Sequence, residues 1–237
     1  MPRTGSSRVS RWKREVSDPM LSSRAWPVRL LRILFGALAV TAVGRQFLAE
    51  VGLPQFSPVN FFSYFTILSN IAAGVLLLRL GAAPGRDGHA VLEWWRGGMT
   101  VYMATTGIVF ALLLDDGDLG LTLPWVNTVM HRVIPAVMFV DWMLVRPRAR
   151  VGYGRALAWL AVPLVYVTYA LVRGAVTGWF PYPFLRPGGA GGVDGVVLHL
   201  VVMALGIALA AMLVAWLGNI RLREREKAAV PEGQSVP

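Results

Sequence analysis

The chain has no cysteine. That excludes disulfides, thiolate metal sites, iron–sulfur clusters and a cysteine nucleophile, although it does not identify a redox compartment. Charge is also scarce: Asp, Glu, Lys and Arg make up 15% of 237 residues, against about 25% in soluble domains. No Gly-x-Ser-x-Gly motif occurs, which removes the nucleophile elbow of an α/β-hydrolase. Histidine appears three times, so imidazole chemistry is confined to a few positions.

What fills the chain instead is hydrocarbon. Hydrophobic residues make up 55% of it, and the mean hydropathy is +0.55. The apolar residues fall in long runs, and runs of 18 or more indicate membrane helices. Six such runs are expected, at about Val28–Leu48, Asn60–Leu80, Gly97–Leu114, Trp125–Leu144, Ala156–Val176 and Val193–Leu217. The expected fold is therefore all-α, a polytopic bundle of six transmembrane helices spanning residues 27–218. Residues 1–26 read as a basic, disordered arm and 219–237 as a basic, polar tail. A cleaved signal peptide is the rival reading and is not expected, because the first run is too long and no small-residue cleavage site follows it.

The net charge of +10 does not indicate nucleic acid, because the basic residues lie in arms and short loops between apolar runs. The N-terminal arm, the second and fourth loops and the tail are rich in Arg or Lys. The first, third and fifth loops are nearly free of them, with Arg45, Arg173 and Arg186 as exceptions. That alternation is the positive-inside pattern, and it places both termini in the cytoplasm of a multi-pass plasma-membrane protein. Arg29 and Arg32, early in the first run, are expected to snorkel to the headgroups. Trp94 and Trp95 are expected in an interfacial belt.

The run WVNTVMHRVIPAVMFVDWML is the unusual one, for it carries His131, Arg132 and Asp141. Ionisable groups at membrane depth usually face a bundle interior or wet cavity and mark function. With the second and fourth runs both entering from the outer side, Thr66 and His131 fall about 8–9 Å inside the boundary. Ser63, Thr66 and Asn70 share one face of a continuous helix, and Asn127 and Thr128 flank His131. A Thr hydroxyl becomes a nucleophile when a neighbouring imidazole takes its proton. Ser63, Asn70 or Asn127 could donate to the oxyanion, and a site at this depth would receive lipid-like esters sideways from the membrane.

Each residue also has a plainer role. Membrane Ser, Thr and Asn commonly join helices. Asp141 fits a helix-end ion pair with nearby Arg146. Asp115, Asp116 and Asp118 fit a solvated loop. Trp179, Phe180, Tyr182 and Phe184 fit an interfacial anchor or a lid over the site. His131 and His199 at matching depth would suit axial haem ligation and electron transfer. A scaffold or transporter without chemistry is a further alternative, though no internal repeat supports transport.

The segments YFTILSN, WVNTVMHRVIPAVMFVDWML and GWFPYPFL occur in the same order and spacing in the androgen-induced protein family, and the chain resembles a bacterial six-span member from about Val28 to Leu217. Eukaryotic members are membrane threonine hydrolases that cleave fatty acid esters of hydroxy fatty acids. The resemblance puts the nucleophile on Thr66 and the catalytic base on His131, and implies a lipid-like substrate with no metal or cofactor. Three neighbours depart from the eukaryotic pattern. Thr128 stands where that branch has a second His, Ser69 where it has an acidic residue, and Arg132 where it has an uncharged one. Arg132, positioned to take a substrate carboxylate, and Tyr182 complete the expected site.

Overall fold

A computed structural model describes residues 25–82, 90–114, 123–145, 147, 150–189 and 191–229. Among them the regular structure is helical throughout, with no strand. In chain order the helices are α1 (Trp26–Glu50), α2 (Pro58–Phe61), α3 (Phe65–Ala82), α4 (Ala90–Val109), α5 (Pro124–Thr128), α6 (Ile134–Leu144), α7 (Tyr153–Leu157), α8 (Ala161–Thr177) and α9 (Gly192–Ala229). A π-turn extends α4 over Phe110–Leu114, and a second, Val129–Val133, joins α5 to α6.

Five helices are long and apolar enough to cross a membrane: Trp26–Glu50, Phe65–Ala82, Val91–Leu114, Tyr153–Thr177 and Gly192–Ile220. Their outward side chains are bare hydrocarbon, with Val176 81% and Leu209 72% exposed, which suits lipid and not water. The sixth expected run is helical from Pro124 to Leu144, but Asn127, His131, Arg132 and Asp141 lower its apolarity. Two boundaries differ from expectation. The second run does not begin a helix at Asn60, because α3 starts at Phe65. The third begins earlier, so Glu93, Trp94 and Arg96 are helical instead of lying in a loop.

Small residues bring α1 and α3 together. A Cβ on Gly36 would lie 2.9 Å from the Gly74 carbonyl oxygen, and one on Gly74 would lie 3.1 Å from that of Gly36. Close backbone approach of this kind is how membrane helices gain packing without a hydrophobic drive. Farther along the same interface, Arg29 Nε donates to the Gly81 carbonyl at 3.0 Å.

Asp141 corrects the charge assignments. Its carboxylate receives Arg32 of α1 at 2.7 Å and 3.1 Å and Arg96 of α4 at 2.9 Å. Arg146, its expected partner, lies outside the described residues. Arg32 does not snorkel; it is 3% exposed, and Arg96 is 1% exposed. Arg96 also donates to the Glu93 carboxylate at 2.7 Å and to the carbonyls of Asp141 and Val145, and lies over the Trp142 ring at 4.9 Å. Two guanidiniums and two carboxylates make a neutral buried cluster, as the cost of desolvating each ion requires. Asp141→Ala would leave two buried guanidiniums short of countercharge, a loss of about 3–5 kcal/mol. A clear fall in Tm of the detergent-solubilised protein is expected, and an unchanged Tm would remove the cluster's structural role.

Candidate functional site

Thr66 sits where the chain breaks and restarts. Ser57 caps α2, its Oγ accepting from the Asn60 N–H at 3.3 Å, with Pro58 opening the helix. Ser63 then ties down the break. Its Oγ donates to the Val59 carbonyl at 2.6 Å and shares a hydrogen bond with Tyr169 Oη at 2.7 Å, while Tyr166 Oη donates to its carbonyl at 2.9 Å. Ser63 is thus a structural joint and lies outside the helix that carries Thr66. The first N–H groups of α3 have no partner within the helix, and that of Thr66 donates to Tyr182 Oη at 3.3 Å. Thr66 Oγ1 and Tyr182 Oη share a hydrogen bond at 3.4 Å. Burial raises the Tyr182 phenol above its ordinary value, so it keeps its proton at neutral pH.

His131 sits at the centre of the second π-turn, a distortion often found at functional sites. Proline explains the turn. Ile134 N–H reaches back to the Val129 carbonyl, and the donor that would follow in that register belongs to Pro135, which has no N–H. The Met130 carbonyl takes its hydrogen bond instead from Asn70 Nδ2 of α3, at 3.1 Å. The same Nδ2 donates to the Thr66 carbonyl at 2.9 Å. Asn70 therefore latches the backbone of Thr66 to the residue beside His131. Gly107 lets α4 close on the turn, since a Cβ there would lie 3.2 Å from the His131 carbonyl.

The imidazole is oriented from both sides. Its Nδ1 lies 3.2 Å from the Asn127 carbonyl, which can only accept, so the proton sits on Nδ1 and the Nε2 lone pair is left as base. The ring stacks on Phe110, the first residue of the other π-turn, at 4.2 Å between centroids. Thr66 and His131 line one polar cavity of about 250 Å³, together with Glu50, Asn60, Tyr64 and Tyr182.

The remaining candidates separate. Asn127 acts through its carbonyl; its side chain is not part of the cavity wall, and its Oδ1 is buried without a partner. Arg132 is exposed, lies over Phe110 at 5.8 Å, and is not part of the wall either. His199 donates from Nδ1 to its own helix at Gly195, 2.7 Å away, and lines a different, apolar groove. The two histidines are therefore not arranged to share a haem. Among the described residues no group of three or more His, Asp or Glu side chains gathers as a metal site. Phe110 and Glu50 are site residues that sequence reasoning missed. Phe110 left no signal, whereas Glu50 and its partner Gln46, 2.5 Å away, are polar groups ending an apolar run.

Asn70→Leu would strand the Met130 carbonyl, costing about 1–3 kcal/mol. Faster amide exchange across residues 129–133 is expected in this variant, and protection equal to wild type would show that the latch is dispensable.

No protein-family model, curated protein or solved structure matches this chain.

Proposed function

We propose that the chain is an integral membrane hydrolase of lipid carboxylic esters, of the fatty acid ester of hydroxy fatty acid type, with Thr66 as nucleophile and His131 as general base. One observation carries the reading. Two residues 65 positions apart, one a hydroxyl and one an imidazole with its lone pair on the outer nitrogen, line the same polar cavity in an apolar bundle. The androgen-induced protein resemblance names the same pair. In this reading Pro124–Leu144 crosses as a sixth span, and both termini lie in the cytoplasm of a plasma-membrane protein.

The reaction needs a rearrangement, because Thr66 Oγ1 is hydrogen-bonded to Tyr182 and must offer its proton to His131. With Tyr182 donating to Oγ1, the threonine proton is free to do so. Nε2 of His131 takes that proton as Oγ1 bonds to the ester carbonyl carbon. The tetrahedral intermediate collapses, the bond to the alkoxy oxygen breaks, and His131 returns the proton to the leaving alcohol. Water entering by the polar cavity then gives its proton to His131 and attacks the acyl-threonine. Collapse releases the carboxylic acid and restores the Thr66 hydroxyl.

Thr66→Ala and His131→Ala should each abolish labelling by an active-site fluorophosphonate probe and turnover of long-chain esters. Full labelling in both variants would sink the mechanism. Tyr182→Phe should slow turnover, on the order of 10²-fold, without abolishing it; a rate equal to wild type would detach the phenol from catalysis.

A further inference from the structure

Thr66 and Tyr182 line a second cavity on their other side. It is an apolar groove of about 170 Å³ between α3, α4, α8 and α9, and among the described residues these two alone border both spaces. Its wall includes other hydroxyls, but each already has a backbone acceptor. Thr105 Oγ1 donates to the Val101 carbonyl at 2.9 Å, Thr106 Oγ1 to Tyr102 at 3.0 Å and Tyr166 Oη to Ser63 at 2.9 Å. The groove therefore presents methyl, methylene and aromatic carbon along its length, with polar groups at the Thr66–Tyr182 end. Tyr166, bonded beside the α3 break, marks that end, and Leu160 and Ile207 mark the far one. From Leu160, just before α8, to Val167 within it, and along α9 from Leu200 to Ile207, the lining extends about 10 Å.

We infer that this groove is the acyl-chain site, holding an extended hydrocarbon tail with its carbonyl at Thr66 and Tyr182, while the alcohol portion leaves through the polar cavity beside His131. The assignment rests on the hydrolase reading for the word substrate, but the chemistry of the groove stands without it. A single polar end on an apolar tunnel selects an amphiphile in one direction, because the reversed molecule would bury its head among groups unable to pair with it. Ala204 is the position at which the groove is most simply blocked. It lines the groove with a methyl group where a larger side chain would fill the space. The outer groove lined by His199 and Val202 is apolar too, but it has neither Thr66 nor Tyr182 in its wall.

The test is a photocrosslinking map of the full chain in lipid nanodiscs. Two octanoic acid analogues, whose extended chains match the length of the lining, are used, one with a diazirine at the chain end and one with it beside the carboxyl group. The chain-end probe should mark Leu160, Pro163, Met203 or Ile207, and the carboxyl-side probe Phe65, Tyr182 or Phe184. Ala204→Trp should lose the chain-end adducts, whereas Val202→Trp in the outer groove should keep them. Adducts on Leu112, Leu198 or Val202, identical maps from the two probes, or undiminished yield in Ala204→Trp would overturn the assignment. The wild-type map decides even if Ala204→Trp fails to fold. Because binding is read without turnover, Thr66→Ala separates the two claims. An intact map with retained fluorophosphonate labelling removes the catalytic role and leaves the chain site. Lost labelling with adducts elsewhere does the reverse.

Discussion

A carboxylate withdrawn from water must be met by positive charge and by hydrogen bonds, and Asp141 is met by both from two other helices. Arg32 comes from α1 and Arg96 from α4, so one buried anion holds three helices at a common level. Among the described residues no buried ion pair joins α8 or α9 to the bundle; hydrogen bonds such as Tyr166 and Tyr169 to Ser63 and Trp142 to Val214 do so, and those two helices show mostly apolar, exposed side chains. The bundle thus has a pinned part, α1, α3, α4 and α6, and a part held by uncharged hydrogen bonds and by aromatic and small-residue packing. The latter includes Trp159 against Gly97 and Gly98, and Trp142 against Gly218. Thr66 and His131 belong to the pinned part, whereas Tyr182 comes from the loop before α9.

The site is built from departures from regular helix, each with an identifiable cause. Pro135 withholds an N–H, the helix loosens into a π-turn, and the carbonyl thereby released is claimed by Asn70. The break before α3 exposes the first N–H groups of that helix, and Tyr182 accepts one of them. Both irregularities cost backbone hydrogen bonds, and both are repaired by side chains from another part of the chain. A site assembled in this way is rigid because its polar groups have nowhere else to turn in an apolar medium.

Much of this was legible in the sequence. The apolar runs marked the helices, and ionisable residues inside one of them marked His131 as interior. Thr66 and His131 were expected at one depth, and they do line one cavity. The reason was partly mistaken, since that estimate counted residues along an unbroken helix from Asn60, while α3 begins at Phe65. Ser63 and Asn70 were both read as helix-face donors. Asn70 bridges helices, whereas Ser63 closes the break that the reading lacked. Arg32 was misplaced because snorkelling is the default for a lone Arg near a helix end, and Arg96 because the third run was read as starting at Gly97; their shared anion lies 109 and 45 positions away. Periodicity says which residues face inward, but it does not say which distant residue meets them there.

The position of Thr66 has a consequence for any reaction at it. It stands in a partition, with Tyr182, between a polar cavity and a hydrocarbon groove. A bond cleaved there, as proposed, would join a polar fragment to an apolar one, and each fragment would depart into the medium that solvates it. In the proposed reaction water would come from the polar cavity, so an acyl group in the groove would be shielded along its tail and exposed at its carbonyl. A free hydroxyl facing lipid on both sides would have neither the base nor the water. One facing water on both sides would have no means of favouring a long chain over a short one. The break before α3 sets the hydroxyl at that boundary, and Asn70 holds its backbone to the turn that carries His131.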